Sequence, residues 1–253
     1  MIEALANAEH FRARREEAWS RATPYWLSQP LRHVVDTGQH IVSLAVALVK
    51  GIPSTPLIVD IGCGSCWLLE EMLTVLVRFN YIGVDNNPRF VEAARNRFKD
   101  LKGAKFSLCD IAGGTGITAD ADLVVNAFNF FEVEDLGAAM GASASIMKPG
   151  AHLLMSTIDK TYLILALSSS WEEFHHNLAR YQEIKGVRYG FQKIDLGDGL
   201  SEILEYPSVL YSTQDYLEAA AGAGLQLVSY EEQPYTGRAI PKIYCHLIFR
   251  KPT

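Results

Sequence analysis

The sequence lacks any long hydrophobic run. The longest one, Ile41–Val49, covers nine residues, about half of the roughly 18 that a membrane-spanning helix requires. No apolar segment of the signal-peptide type opens the chain, and four cysteines among 253 residues are too few for a disulfide framework. These absences predict a cytoplasmic protein in a reduced setting, with no membrane partner.

An excess of basic residues is also lacking, because the formal net charge is -6 at pH 7. Proteins that bind nucleic acid usually present a basic face to the phosphates, so the charge argues against a nucleic-acid partner. The one dense basic cluster consists of Arg12, Arg14 and Arg15. We interpret it as the solvated face of a helix of mixed charge.

What the sequence does contain is a regular alternation of short apolar runs and helical segments. The predicted strands are "PLIVDIG", "NYIGVD", "AKFSLCD", "ADLVVNAF" and "GAHLLMSTI", with helical segments between most of them. This alternation predicts an α/β fold, a Rossmann-like doubly wound sheet that is mostly parallel with right-handed crossovers. The later runs "QLVSYEEQ" and "KIYCHLIFRK" predict an antiparallel C-terminal end to this sheet.

Two further segments lie outside the alternating pattern. Residues 1–50 are predicted to form an N-terminal helical cap, whose first helix ends at Pro24. Residues 160–210 form an insert after the fifth strand, predicted to contain a helix and a hairpin that turns at "GDG". Long insertions of this kind are often lids. The core is therefore predicted to comprise residues 51–159 and 211–253, with 160–210 as an inserted lid in a single structural unit.

The stretch "DIGCGSCWLL" carries two overlapping motifs. Gly62-Cys63-Gly64 is a turn that lets the backbone approach a nucleotide cofactor, whereas Cys63 and Cys66 form a C-x-x-C of the redox or zinc-binding type. A zinc site is disfavoured, because the two remaining cysteines form no second pair of this spacing. A dinucleotide site is disfavoured because Trp67 stands where its third glycine belongs.

Polar residues end the strands that follow the glycine turn. Asp85 ends the next strand, about 20 residues after the glycines, and Asp110 and Asn126 end the two strands after it. Ligands of open α/β sheets bind at the carboxyl ends of strands. The series therefore favours a nucleotide-binding turn over a dithiol site.

These residues resemble those of class I S-adenosylmethionine-dependent methyltransferases over residues 56–157, with a weaker similarity at the C-terminal strands. "DIGCG" matches the family's acidic-x-Gly-x-Gly signature, and Asp85 matches its ribose-binding acid. Asp110 and Ile111 match its adenine-edge position. "DLVVNAFNFFEVEDL" and "MKPGAHLLMST" match its fourth strand and the approach to its fifth. Cys66 departs from the pattern, because it stands where the family has a third glycine.

The resemblance implies S-adenosylmethionine as cofactor, S-adenosylhomocysteine as product, and no metal. It also implies a set of cofactor-binding residues around the glycine turn and the ends of the next three strands. These are Asp60, Gly62, Cys63, Gly64, Asp85, Asn86, Asp110, Ile111, Asn126 and Ala127.

The acceptor implied by the resemblance is a small molecule of specialised metabolism. Aromatic residues in the N-terminal helices, the turn after the fourth strand and the insert suit an aromatic or apolar acceptor. We expect O-methylation first, with N- and C-methylation as alternatives. The fourth strand ends in "NAFN", which differs from the motif of enzymes that methylate nucleic-acid bases. The candidate catalytic residues are His175, His176, Glu132 and Tyr25, and His33 is a further candidate for the acceptor site.

Two other functions fit the same residues. A protein of this fold can bind the cofactor without methylating, as a cyclase-like enzyme or a regulatory binder. A C-x-x-C oxidoreductase is the other alternative, and the position of Cys63 and Cys66 at a helix N-terminus predicts a lowered thiol pKa.

Overall fold

A computed structural model of the chain describes residues 2–4, 8–28, 35–114, 116–166, 168, 170–183, 188–195, 203–235 and 242–253. The helices in these ranges are α1 (Ala8–Ser28), α2 (Val35–Val49), α3 (Trp67–Val75), α4 (Pro88–Arg97), α5 (Leu136–Ser145), α6 (Lys160–Ala166), α7 (Trp171–Glu183) and α8 (Thr213–Gly222). The strands are β1 (Ile2–Ala4), β2 (Leu57–Ile61), β3 (Asn80–Asp85), β4 (Ala104–Leu108), β5 (Ala121–Ala127), β6 (Met147–Thr157), β7 (Arg188–Asp195), β8 (Ile203–Val209), β9 (Gln226–Tyr235) and β10 (Lys242–Arg250). Short 3-10 turns at Ile111–Gly113 and Phe130–Glu132 follow β4 and β5.

The larger sheet in the described part of the chain has seven strands, in the order β4-β3-β2-β5-β6-β10-β9. Strands β2 to β6 pair in parallel, and β10 runs antiparallel to both of its neighbours. Parallel pairs need crossover connections, and the intervening helices provide them. The predicted doubly wound, mostly parallel sheet with an antiparallel C-terminal strand is confirmed.

The hydrophobic core lies on both faces of this sheet. Helices α2, α3 and α4 cover one face, where Ile41, Leu69 and Val91 pack with Ile58 of β2. Helices α5 and α8 cover the other face. Burying each large aliphatic side chain stabilises the fold by about 1.5–3 kcal/mol. The two cores fix the strand ends, and therefore the residues that follow them.

The insert after β6 contains α6, α7 and a hairpin. Strands β7 and β8 pair antiparallel, which confirms the predicted hairpin, and β1 adds a third strand beside β7. The predicted turn at 197–199 lies outside the described residues.

The prediction that the first helix of the chain ends at Pro24 is wrong. Residues 2–4 form β1, and α1 continues through Pro24 to Ser28. Proline has no N–H for the carbonyl of the residue four positions earlier, which is Ser20. That carbonyl instead accepts a hydrogen bond from Arg89 Nη1 at 3.3 Å. None of the helices in the described ranges combines the length and hydropathy of a membrane span.

Candidate functional site

The turn after β2 is tied to the end of β3. The amides of Gly62 and Cys63 both donate to the carbonyl of Val84, at 2.7 and 3.0 Å. Gly62 has a φ of 72°, in the left-handed region that glycine tolerates best. A Cβ at Gly62 would lie 2.7 Å from Cγ of Asn129. The glycine therefore serves both the backbone turn and the close approach of Asn129.

Asp85 joins this turn through its carboxylate. Oδ2 accepts a hydrogen bond from the Gly64 amide at 2.9 Å, and Oδ1 accepts one from the Asn87 amide at 2.8 Å. Burial raises the pKa of Asp85 above its usual value, and the hydrogen bonds from backbone amides oppose the rise. A buried carboxylate held in this way can accept hydrogen bonds from the hydroxyl groups of a ligand.

Asp60 is a buried residue of β2, two positions before Gly62. Its Oδ2 accepts a hydrogen bond from the Tyr81 hydroxyl at 2.5 Å inside the core. Burial raises the pKa of Asp60 to about 7, the Tyr81 hydrogen bond lowers it, and the charge of Asp85 adds to the rise. The Asp60 side chain is therefore held in the core by Tyr81, next to the turn in sequence.

The residues after β4 form a capped 3-10 turn. The exposed Asp110 side chain accepts a hydrogen bond from the Ala112 amide at 3.1 Å, and Ile111 is buried behind it. Asp110 thus combines a capping role with a carboxylate at the edge of the sheet.

Asn126 and Ala127 end β5 beside the glycine turn. The buried Asn126 side chain donates to the Ile61 carbonyl at 3.4 Å and accepts from the Phe130 amide at 3.2 Å. Ala127 is half-buried and precedes Phe128, which has a left-handed φ of 64°. Asn126 therefore joins the end of β2 to the turn after β5.

A cavity of about 360 Å³ opens at the carboxyl ends of these strands, beneath α1. Six of the predicted site residues line it: Gly62, Asp85, Asn86, Asp110, Ile111 and Glu132. The other predicted cofactor residues do not line the cavity but belong to, or lie next to, the turns that do. They are Asp60, Cys63, Gly64, Asn126 and Ala127. The structure therefore brings the predicted cofactor residues to one place.

The upper wall of the cavity comes from α1. Arg12, Arg15 and Trp19 lie at helical spacing on one face and line the cavity opposite the strand ends. Arg12 Nε lies 3.0 Å from both carboxylate oxygens of Glu134. Trp19 is one of the aromatic residues of the N-terminal helices that the sequence associates with the acceptor, whereas the prediction that Arg12 and Arg15 are solvated missed their position at the cavity. Arg15 follows Arg12 by three residues and precedes Trp19 by four, and this spacing indicates that the three side chains share one face of the helix.

Glu132 is the buried carboxyl group of this cavity, with 6% of its surface exposed. Its Oε2 accepts a hydrogen bond from Trp19 Nε1 at 2.5 Å, and its backbone carbonyl accepts one from Arg15 Nη1 at 2.5 Å. Burial raises the pKa of Glu132 to about 8. The Trp19 hydrogen bond and the Arg15 charge lower it, whereas the Asp85 charge raises it. A carboxyl group with such a pKa can exchange a proton near neutral pH.

The other catalytic candidates lie elsewhere. His175 and His176 are exposed on α7, and Nδ1 of His175 lies 2.6 Å from the Trp171 carbonyl. Tyr25 is buried against the ring of Trp26, with 5.4 Å between the ring centroids. None of these three lines the cavity, and His33 lies outside the described residues. The structure places only Glu132 of the catalytic candidates at the cavity.

Cys63 and Cys66 are both buried. The contact with Cys66 and then burial raise the pKa of the Cys63 thiol well above its usual value. For Cys63 the predicted lowering is therefore wrong, because its thiol lies in the core rather than at an exposed helix end. Cys66 has a φ of 60° immediately before α3, a conformation that costs a non-glycine residue about 1–2 kcal/mol. In the described ranges, no group of three or more His, Cys, Asp or Glu residues is placed to hold a metal ion.

Comparison with known proteins gives one family match. Residues 59–153 match the family of the methyltransferase domain. This range contains the glycine turn, Asp85, Asp110 and Glu132.

One curated relative and several solved structures are similar to the chain. The malonyl-[acyl-carrier protein] O-methyltransferase of Hahella chejuensis (strain KCTC 2396) is 24% identical over 136 residues, which are 54% of this chain and 46% of that protein. The chain therefore spans about half the length of this relative. The N-methyltransferase NodS from Bradyrhizobium japonicum WM9, solved with S-adenosyl-L-homocysteine, is 14% identical to this chain, with a TM-score of 0.59. The match covers 96% of this chain and 98% of the NodS chain. A SAM-dependent methyltransferase from Methanosarcina mazei is also 14% identical, with a TM-score of 0.61 over 81% of this chain and 97% of its own. These structures show a shared fold.

Proposed function

We propose that the chain is a class I S-adenosylmethionine-dependent methyltransferase that transfers a methyl group to a small-molecule acceptor. The match of residues 59–153 to the methyltransferase domain supports this proposal. The observation that carries the proposal is the cavity at the strand ends, where Asp85, Asp110 and the glycine turn lie together. The proposal extends to a biosynthetic role, a cytoplasmic location and an inserted lid at 160–210.

The residues present fit this cofactor. A Cβ at Gly62 would collide with the Asn129 side chain, which also lines the cavity. In our proposal the glycine therefore leaves room there for the methionine part of the cofactor. Asp85 has oxygens that accept hydrogen bonds, as a ribose diol requires. The carboxylate of Asp110 lies at the edge of the cavity, where it can accept from an adenine amine.

The cofactor supplies an activated methyl group on a sulfonium. The chain then has to orient the acceptor, exclude water and receive a proton. In our proposal Asp85, Asn86, Asp110 and Ile111 hold the nucleoside, and the Gly62–Gly64 backbone holds the methionine part. Asp60, Asn126 and Ala127 support these turns from behind. Glu132 receives the proton of the acceptor, because its pKa of about 8 suits a base near neutral pH.

The relatives do not agree on the acceptor atom. The curated relative is described as an O-methyltransferase and NodS as an N-methyltransferase. Methyl transfer to a small molecule is therefore proposed from the cavity itself. The expectation that the methyl acceptor is an oxygen atom is not supported by any residue that lines the cavity.

The test of the cofactor site is the Asp85→Ala variant. We expect its affinity for S-adenosylhomocysteine, measured by calorimetry, to fall at least about tenfold, which corresponds to about 1.4 kcal/mol. The matched control is Asp100→Ala, which removes an exposed carboxylate from the loop before β4 and should bind normally. Unchanged affinity in Asp85→Ala would exclude the proposed site.

A second measurement separates methylation from cofactor binding alone. The wild-type protein is incubated with methyl-labelled cofactor and a panel of amines, phenols and acids, and labelled product is counted. The double variant Cys63→Ser with Cys66→Ser should retain this activity, because both thiols are buried away from the cavity lining. Loss of activity with normal cofactor affinity would support the oxidoreductase alternative instead.

A further inference from the structure

We propose that the acceptor of this methyl transfer is a basic amine, and that the Glu132 carboxyl group receives it at the end of the cavity farthest from Asp110. This inference rests on the proposed function and names the substrate class of the same site. It differs from the acceptor type of the curated relative, whose described substrate is a malonyl group.

The order of the strands places Glu132 at the acceptor end. The strands β4, β3, β2 and β5 are neighbours in that order. Asp110 follows β4, Asp85 ends β3, Gly62 follows β2, and Glu132 follows β5. The cavity therefore has Asp110 at one end and Glu132 at the other, with the ribose-binding acid between them. A nucleoside held by Asp110 and Asp85 would leave the Glu132 end of the cavity for the methyl group and the acceptor.

The Glu132 side chain is fixed at this end. Trp19 Nε1 donates to Oε2 at 2.5 Å, and the Tyr211 hydroxyl lies 2.9 Å from the Val133 carbonyl and 2.8 Å from the Glu134 carbonyl. In the described part of the chain, Oε1 of Glu132 accepts no hydrogen bond. One carboxyl oxygen is thus anchored, and the other is available to a ligand in the cavity.

The charge of the cavity favours a cation over an anion. Its lining contains five carboxyl groups and two guanidinium groups, namely Asp85, Asp110, Glu132, Glu134 and Asp135 against Arg12 and Arg15. Arg12 is compensated by Glu134 at 3.0 Å. An acceptor that carries a carboxylate would meet this negative field, whereas an ammonium group is attracted to it.

The chemistry balances with Glu132 as the proton acceptor. The bound ammonium group first gives one proton to the Glu132 carboxylate. The amine nitrogen then uses its lone pair to form a bond to the methyl carbon as the carbon–sulfur bond breaks, and that electron pair stays on sulfur. The products are a methylated ammonium ion, S-adenosylhomocysteine and a proton on Glu132, which passes to solvent. Burial raises the pKa of Glu132 to about 8, nearer to that of an alkylammonium group at about 10.

Sinefungin tests, without knowledge of the natural acceptor, whether Glu132 binds an ammonium group at the reacting end of the cavity. In this cofactor analogue, a carbon that bears an ammonium group replaces the sulfonium and its methyl group. The ammonium nitrogen therefore lies where the reacting methyl would be. We expect the wild-type protein to bind sinefungin at least about tenfold more tightly than S-adenosylhomocysteine in calorimetry at pH 8. Glu132→Gln should abolish the preference and leave the S-adenosylhomocysteine affinity within about twofold.

The control variant is Glu17→Gln, which changes an exposed glutamate of α1 outside the cavity lining and should retain the preference. Equal binding of both ligands by the wild type would overturn the inference, and so would a preference that survives in Glu132→Gln. An equal loss of affinity for both ligands in Glu132→Gln would assign Glu132 a structural role only and would also overturn it. If the wild type binds neither ligand, the proposed cofactor function itself fails.

Discussion

At the scale of single residues, the left-handed backbone of the glycine turn gives a direct test of the site. Gly62 and Gly64 both have positive φ, at 72° and 48°, so alanine at either position costs on the order of 1 kcal/mol of stability. Only at Gly62 would the new Cβ meet a side chain, Asn129 at 2.7 Å. We expect Gly62→Ala to push Asn129 toward the cavity and to weaken S-adenosylhomocysteine binding at least about tenfold, or about 1.4 kcal/mol.

Gly64→Ala is the matched control, because its Cβ would meet nothing closer than the Gly62 carbonyl at 4.0 Å. Both variants should unfold at similar urea concentrations, while only Gly62→Ala loses affinity in calorimetry. Equal affinities in the two variants would show that the contact with Asn129 does not shape the cavity.

The same scale shows what the sequence could predict about the site. Gly62, Asp85 and Asp110 were predictable because each follows or ends a buried strand, and parallel strands bring such positions to one edge. His175 and His176 lie on α7 of the insert, whose position is not determined by the strand order of the sheet. Which face of α7 is exposed depends on how that helix packs, and this could not be predicted from the sequence. Arg12 and Arg15 resembled solvated residues, because the turn that they contact lies more than a hundred residues later in the chain.

At the scale of elements, α1 spans the cavity from one rim to the other. Arg15 and Trp19 contact Glu132, and Thr23 accepts a hydrogen bond from Asn87 Nδ2 at 2.8 Å. We expect Trp19→Phe, which keeps an aromatic ring but loses the donor, to release S-adenosylhomocysteine about 2–10 times faster in stopped flow. That range corresponds to one hydrogen bond of about 0.5–1.5 kcal/mol.

The control on the same helix is Glu17→Gln, because Glu17 is exposed and does not line the cavity. Its release rate should equal that of the wild type. An unchanged rate in Trp19→Phe would mean that α1 does not limit the exit of the ligand.

The length of α1 also shows why element ends are harder to predict than element types. Proline usually ends a helix because it leaves the carbonyl four residues earlier without a donor. Here Arg89, from α4, supplies a donor to Ser20, so the helix can continue. A compensation of this kind depends on a tertiary contact. The predicted strands, by contrast, followed from runs of apolar residues that are local in sequence.

At the scale of the whole molecule, buried ionisable groups determine how stability depends on pH. Burial raises the pKa of Asp60 from 3.8 to about 7 and that of Glu132 from 4.5 to about 8. The folded state thus holds protons that the unfolded state releases, and stability from these groups is lost as pH rises toward those values. Burial also lowers the pKa of His246 from 6.5 to about 4, which partly offsets the loss below pH 6.5.

We therefore expect the free energy of unfolding to fall, by on the order of a few kcal/mol, between pH 5 and pH 8. The fall should be steepest just above pH 6.5, where His246 no longer opposes it. Urea denaturation at several pH values measures this, and the double variant Asp60→Asn with Glu132→Gln should give a flatter profile. A stability that rises over this range in the wild type would contradict the assignment.

The pairing of β1 with β7 has a consequence for the chain during its synthesis. Ile2 pairs with Gly190 and Ala4 with Arg188, so β1 leaves the ribosome roughly ten seconds or more before its partner, at 5–20 residues per second. Strands β2 to β6 are complete by residue 157 and can pair in that interval. We expect the residues of β1 to be among the last to pair, accessible to chaperones and proteases until the hairpin of the insert is translated.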